Sequence, residues 1–420
     1  MVRHKQLLHT LFSLVFINLV IAGLGLVTRV SIANLIGIES FGKLAFGLAV
    51  GTFGLLFVQF GLEKSLVRDL VHLPARFGEI VEASLLVRAI LFLAFMAGLI
   101  VSAVFFVETN SDTIGISLII LATVASAFSL GGVYDAWKEM RRHAVYYLVQ
   151  RLTYFTLIWL VIFIPDWDLS LSQIGMFLMV GVIASLLFEF RWAWPRIDFK
   201  RKQGLWPSTL FIVHSNIWIW VAVLTGHTVV YLSQIFLKFF SGNVELGGYS
   251  AAWLVIQLAI LLHSQIGRIG SEASARYTRT DTPASKRMWF YIRYNSVMAG
   301  LGLMIGLPCV LFPEVIIKIY SPEYANAAET LRILGFYPIF FGPYMAALQY
   351  FISCRLQKTY LASILFVGAI SLGLNLWLIP LKQSEGAALS VVISAAITAI
   401  VFSTISVLHI RNLPDSTSAK

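Results

Sequence analysis

The chain has 420 residues, 58% of them hydrophobic and only 12% charged, with a mean hydropathy of +0.83. A soluble domain carries about 25% charged residues, so an ordinary water-soluble globule is excluded. The net charge of +10 would raise nucleic-acid binding in a soluble protein, but basic loops facing an anionic inner leaflet account for it here, and no nucleic-acid partner is expected.

In chain order, Met1 to Gln6 carries Arg3 and Lys5 ahead of the apolar run Leu7–Val27. That run is long for a signal peptide and lacks a small-x-small cleavage site, so it reads as a retained first span. Eleven further apolar segments follow: Leu44–Leu62, Ala83–Val107, Ile114–Tyr134, Tyr146–Pro165, Ile174–Phe190, Leu210–Leu232, Tyr249–Ile269, Met288–Phe312, Ile333–Ser353, Leu361–Ile379 and Gly386–Ile410. Each has about 17–25 residues, the length that crosses a bilayer core as a helix. Helices are required because an open strand edge would leave backbone groups unpaired in lipid. The fold class is therefore all-α, a polytopic membrane protein of about twelve transmembrane helices. Of the 31 Lys and Arg, 22 fall at the termini and in the even-numbered gaps, counting Arg268 at the very end of span eight with the gap that follows, six in the odd gaps and three deeper inside spans. This is the positive-inside pattern, and it places both termini in the cytoplasm.

The longest basic gap, 191–209, holds Pro195, Gly204 and Pro207 and divides the chain near its middle. It predicts a six-helix bundle over 1–195, a basic cytoplasmic linker over 196–209, a second six-helix bundle over 210–410 and a cytoplasmic tail over 411–420. A faint repeat agrees. Leu11-Phe12 matches Leu210-Phe211 at an offset of 199, and Asn18 matches Asn216 at an offset of 198, which also pairs Arg29 with His227. Phe41-Gly42-Lys43-Leu44-Ala45 likewise resembles Leu246-Gly247-Gly248-Tyr249-Ser250. Six spans per copy give both bundles one orientation, with a substrate path between them.

No catalytic arrangement, phosphate-binding glycine loop or metal-ligand spacing is present in the sequence, so neither an enzyme, an ATPase nor a bound cofactor is expected. Gly42, Gly47, Gly51 and Gly54 have the spacing of close helix packing. Three arginines, Arg88, Arg151 and Arg293, stand about five residues inside the cytoplasmic ends of their spans, or roughly 7–8 Å. Each either snorkels to the headgroups or lines a cationic cavity, where its fork would bind phosphate at two points. Arg29, at the outer end of span one, is a headgroup anchor or a cation on the far side of the path. Glu189 forms a local ion pair with Arg191 or takes part in proton or ion coupling. His214, His227 and His263 are packing histidines or proton carriers. Asn18, Asn216 and Asn375 are interhelical hydrogen-bond partners or sugar contacts. The Trp and Tyr near span ends form an aromatic belt.

The segment 315–334, Val-Ile-Ile-Lys-Ile-Tyr-Ser-Pro-Glu-Tyr-Ala-Asn-Ala-Ala-Glu-Thr-Leu-Arg-Ile-Leu, resembles the outer amphipathic segment between spans nine and ten of polysaccharide-biosynthesis flippases. Gly247 to Ala252 is similar to that family's entry to span eight. Phe41-Gly42 with Phe60-Gly61-Leu62 and Arg68 is similar to its layout around span two, and Ile379-Pro380 with Glu385 to Ala388 to its turn into span twelve. The chain thus resembles O-antigen (Wzx-type) flippases of the multidrug/oligosaccharidyl-lipid/polysaccharide exporter superfamily. The resemblance implies two six-helix bundles in a V, as in the multidrug (MATE) branch, and a bacterial inner-membrane location. It implies translocation of an undecaprenyl-diphosphate oligosaccharide to the outer leaflet for O-antigen, capsule or exopolysaccharide. It also implies coupling to a H⁺ or Na⁺ gradient, membrane lipids as surroundings and polysaccharide polymerase machinery as partner. Arg88, Arg151, Arg293, Arg29, Asn18 and Asn216 are then the expected substrate contacts, and Glu189 and His227 the coupling candidates. Where many relatives carry a charged pair near the outer end of span seven, this chain reads Tyr231-Leu232-Ser233-Gln234. The rival within the superfamily is a multidrug or cation antiporter, which needs an acidic cavity; no span centre here carries Asp or Glu.

Overall fold

The structure is a computed structural model. It describes the backbone of residues 2–106, 111–164, 167–199, 204–277, 283–354 and 356–412, and side chains from residue 20 onward except 64, 102–106 and 268–277. Asn18, Lys200 to Lys202 of the linker and the tail from 413 lie outside the described side chains.

Thirteen α-helices make up the described chain: α1 (Val2–Gln59), α2 (Leu62–His72), α3 (Phe77–Phe106), α4 (Ser111–Ala125), α5 (Gly131–Ala136), α6 (Met140–Ile162), α7 (Leu171–Ala193), α8 (Leu205–Tyr277), α9 (Ala284–Leu311), α10 (Pro313–Ile317), α11 (Ala327–Leu334), α12 (Tyr337–Ser353) and α13 (Gln357–Asn412). Among the described residues, nine helical segments are long and apolar enough to cross a membrane. Three of them exceed any single crossing. Helices α1, α8 and α13 have 58, 73 and 56 residues, or more than 80 Å at about 1.5 Å per residue, against a core of about 30 Å. Each contains one residue off the helical path: Gly37 (φ 77°, ψ 167°), Gly242 (φ 89°, ψ −174°) and Gln383 (φ 49°, ψ −125°). In α13 the chain folds back there, since the position of a Cβ on Gly386 is 2.1 Å from the Leu378 carbonyl oxygen and Tyr360 meets Phe402 edge-on. Counting each of the three as two spans is consistent with twelve crossings.

The contacts divide the chain into two compact units, residues 1–36 with 43–224 and residues 37–42 with 225–420. The first unit thus continues past the 196–209 segment into α8. Its core is built on α2, whose Leu62, Leu66 and Leu70 recur every four residues and so share one buried face. They pack with Ile80 and Val81 of α3, Val133 and Tyr134 of α5, and Ile212 of α8. The start of α8 is pinned to α3 by polar contacts: Arg76 donates to Glu79 (3.2 Å) and to Ser208 Oγ (3.0 Å), and both Glu79 and Ser208 are buried. The helix-spaced Gly47, Gly51 and Gly54 pack closely, on Ile119, Thr123 and the Phe95–Val124 pair.

The second unit has a glycine seam. Gly302 and Gly306 on α9 lie against the Pro338 and Gly335 carbonyls, and Gly342 on α12 lies against the Met298 carbonyl. Missing side chains let the two backbones approach, the way small residues join helices in lipid.

Candidate functional site

Two polar groupings in the first unit contain Arg29, Arg88, Arg151 and Glu189, four of the residues that the sequence singles out. The first surrounds a break in the fourth span. Helix α4 ends at Ala125, a 3-10 turn covers Ser126–Phe128, Ser129 is extended, and α5 restarts at Gly131. The break frees backbone groups that lipid cannot satisfy. Glu189 of α7 satisfies one, accepting from the Leu130 N–H (2.6 Å) and from Ser129 Oγ (3.0 Å). Arg88 of α3 satisfies another, donating from Nη1 to the Ser129 carbonyl (2.8 Å). His143 Nε2 lies 3.9 Å from the same Glu189 carboxylate, and Tyr134 donates to the Glu189 carbonyl (2.8 Å). Arg88 and Glu189 are 3% and 2% exposed, and each is held at the break by its own hydrogen bonds, Arg88 to the Ser129 carbonyl and Glu189 from Leu130 and Ser129. The geometry gives Glu189 these partners. Arg191, two residues on, is exposed and sits about 200° around the helix.

The second grouping runs along α6. Tyr147, Arg151 and Tyr154 follow one another by four and three residues, which sets them on one face. Arg151 donates from Nη2 to Tyr147 Oη (2.9 Å), and its guanidinium lies 5.2 Å from that ring centre. Arg29 interacts electrostatically with both Tyr147 and Tyr154. Two guanidiniums and two phenols therefore share one neighbourhood. Glu63 interacts with Tyr147 and with Arg88, so it stands near both groupings.

The depths differ from the sequence reading. Helix α1 does not end near Val27 but continues to its turn at Gly37, so Arg29 lies about 12 Å short of that turn. Arg151 is midway along α6, eleven residues from either end, or about 17 Å. Arg88 is eleven residues into α3 and Arg293 nine into α9. Within the first unit, Arg29 and Arg151 both act on Tyr147 and Tyr154, and Arg88 donates to the Ser129 carbonyl. Arg293, in the second unit, is exposed with its guanidinium 5.0 Å over the Trp289 ring.

Asn216 is fully buried in the first unit and donates to the Ile212 carbonyl (2.8 Å), with its Oδ1 left without a hydrogen bond. Asn375 does the same in α13, donating to the Ser371 carbonyl. His227 stacks on Tyr231 (6.0 Å, 26°). His263 is buried between the Ala259 and Met298 carbonyls. Sequence reasoning missed Tyr147, Tyr154, Glu63, Ser129 and His143. The two tyrosines had a usable signal in their spacing from Arg151.

Comparison with curated protein sequences gave no match. Comparison with solved structures gives the fold. An inward-facing multidrug resistance MATE family transporter of the MOP superfamily aligns with TM-score 0.69 over 94% of this chain and 100% of its own, at 13% identity. An outward-facing structure of such a transporter gives TM-score 0.59 over 98% and 95%, at 14% identity. A MOP superfamily transporter from Pyrococcus furiosus, described as having a binding pocket of reverse polarity that suggests a different function, gives TM-score 0.59 over 96% of each chain, at 14% identity. The chain is thus a multi-pass, all-α membrane protein with the MATE-like fold. The family model described as polysaccharide biosynthesis protein matches residues 7–274, well over half of the sequence, and the chain belongs to that family of transporters.

Proposed function

We propose that this protein is a flippase that moves a lipid-linked oligosaccharide, carried on undecaprenyl diphosphate, from the cytoplasmic to the outer leaflet of a bacterial inner membrane. It works by alternating access, with both termini cytoplasmic, and passes its product to a polymerase for O-antigen, capsule or exopolysaccharide synthesis. The observation that carries this reading is the arrangement on α6 in which Arg151 donates to Tyr147, with Arg29 acting electrostatically on Tyr147 and Tyr154. A cation there costs about 2.5–3.5 kcal/mol on insertion scales, and a diphosphate repays that cost through charge-assisted, two-point hydrogen bonds. Tyrosine rings beside the guanidiniums suit the first sugar, and the isoprenoid tail stays among lipids.

In this reading Arg293 also contacts the substrate and Asn18 meets sugar hydroxyls, while Asn216, fully buried, serves helix packing. Arg88 serves the site indirectly by holding the span-four break. Glu189, with His143 beside it, is the coupling group for a H⁺ or Na⁺ gradient, and His227 the alternative one. A multidrug or cation antiporter would need carboxylates where these arginines stand.

The test is complementation of a flippase-deficient strain. Arg29→Gln and Arg151→Gln, inserted at native levels, are expected to lower surface polysaccharide at least tenfold, with Arg151→Lys intermediate because it keeps charge and loses the fork. Native polymer levels from both Gln variants would refute the assignment.

A further inference from the structure

The two oxygens of the buried Glu189 carboxylate have different surroundings. Oε2 is anchored by the Leu130 N–H (2.6 Å). Oε1 accepts from Ser129 Oγ (3.0 Å) and lies 3.9 Å from His143 Nε2. Ser129 Oγ is itself 3.5 Å from that ring nitrogen. One oxygen therefore holds the break, and the other opens a chain of carboxyl, hydroxyl and imidazole. The Glu189 side chain is 2% exposed and that of His143 33%. His143 stands in the first turn of α6 beside the exposed Arg141 and Arg142, charges that require water or headgroups, so the far end of the chain reaches the aqueous edge.

The chain depends on a glycine. A Cβ on Gly131 would stand 2.6 Å from His143 Cε1 and 2.7 Å from Nε2, so a residue without a side chain is what lets the ring lie over the break. The Gly131 N–H also donates to Ser129 Oγ (3.3 Å). A hydroxyl has one proton and two lone pairs. With the Gly131 N–H on one lone pair, Ser129 keeps its proton and its second lone pair for Glu189 and His143. The charged and titratable groups that face Glu189 are Arg88 from α3, Tyr134 from α5 and His143 from α6, and Glu63 of α2 acts on Arg88. Arg88 points to the Ser129 carbonyl and Tyr134 to the Glu189 carbonyl, so neither hydrogen-bonds to Oε1. A guanidinium also keeps its proton, whereas imidazole is the side chain that ordinarily gains and loses one near neutral pH.

We infer that Ser129 and His143 form the proton relay through which Glu189 exchanges its proton with the cytoplasm. This rests on the reading of Glu189 as the coupling group and commits the coupled ion to H⁺. A proton on Glu189 Oε1 passes to Ser129 Oγ as the hydroxyl gives its own proton to His143 Nε2. The imidazolium then releases its Nδ1 proton to water. The carboxyl O–H bond breaks, an N–H bond forms at Nε2, and one proton leaves, with the serine unchanged. Exchange with water returns the ring to its Nδ1–H form.

The test is infrared spectroscopy of the full chain in lipid nanodiscs after a rapid jump from mildly acid to alkaline pH. The native protein is expected to lose a carboxyl C=O band that is absent from Glu189→Gln. Ser129→Ala, His143→Gln and Gly131→Ala should each slow that loss at least about tenfold. Ser129→Thr, which keeps the hydroxyl, should lose the band at the native rate. Gly131→Ala is the variant that separates relay from support, because it displaces the ring and leaves the Glu189 hydrogen bonds in place. A native rate in either Ser129→Ala or His143→Gln would overturn the relay and leave Glu189 as the coupling group. If Ser129→Ala fails to fold, His143→Gln, at a side chain one-third exposed, decides alone. If Glu189→Gln removes no band, the coupling reading and the relay both fall.

Discussion

Arg151 is the residue on which the site turns, and the sequence exposes it because a guanidinium is conspicuous in an apolar run. Its partners are far less visible. Tyr147 and Tyr154 resemble the many tyrosines that a membrane protein keeps at its interfaces, and only the four-and-three spacing places them with Arg151. Glu189 was legible as an odd charge near a span end, but its partners were not. They come from a break in a span that reads as one uninterrupted apolar segment. Glu189→Gln keeps the shape of the side chain but exchanges the carboxylate that accepts from the Leu130 N–H and Ser129 Oγ for an amide. It should lower thermal stability by about 1–3 kcal/mol, the cost of leaving a buried polar group without a full partner, as read by melting of the purified protein; no change in melting would show that this carboxylate does not hold the break. Beyond the end of α7, Arg196 donates two hydrogen bonds to Glu139 and holds its carboxyl below the usual carboxylate range. That contribution is complete above the ordinary carboxylate pKa and fades as pH falls through the lowered value. Glu139→Gln should therefore destabilise the protein at neutral pH by at most about 1 kcal/mol, and the two melting curves should converge in acid.

At the scale of elements, hydropathy located the spans and misjudged their ends. A window stops at a charge, so Arg29 closed the first span on paper, whereas the helix continues to Ile36 and leaves the helical path at Gly37, whose positive φ suits glycine. The third turn is made without glycine. Gln383 takes φ 49° and ψ −125°, a backbone that a side chain adopts only under strain, of order 1–3 kcal/mol. Gln383→Gly is expected to raise the melting temperature, and a fall would show that the Gln side chain holds the turn. Packing between elements depends on absent side chains. Gly302→Ala would place a methyl about where the Pro338 carbonyl oxygen lies, 2.1 Å from the new atom. It should cost about 1–3 kcal/mol, seen as lower melting with partial loss of the α9–α12 contact, whereas Gly300→Ala, facing open space, should be neutral. The sequence shows Gly302 and Gly306 four apart but cannot show which helix they meet.

At the scale of the molecule, the all-α membrane architecture and family membership were readable from charge alternation and ordered motifs, because both are set by the bilayer and by chain order. Which intramembrane cations converge was not readable, because it depends on helix rotation that twelve apolar segments leave open. Arg29 and Arg151 both act on Tyr154, while Arg88 is turned onto Ser129. The account depends on that first pair receiving a diphosphate. The most direct measurement is movement of a fluorescent undecaprenyl-diphosphate-linked oligosaccharide across proteoliposomes, compared with ethidium. The account predicts that the lipid-linked saccharide crosses with the native protein and at least tenfold more slowly with Arg29→Gln or Arg151→Gln, while ethidium does not cross. Ethidium transport that both Gln variants leave unchanged, with no movement of the saccharide, would contradict it.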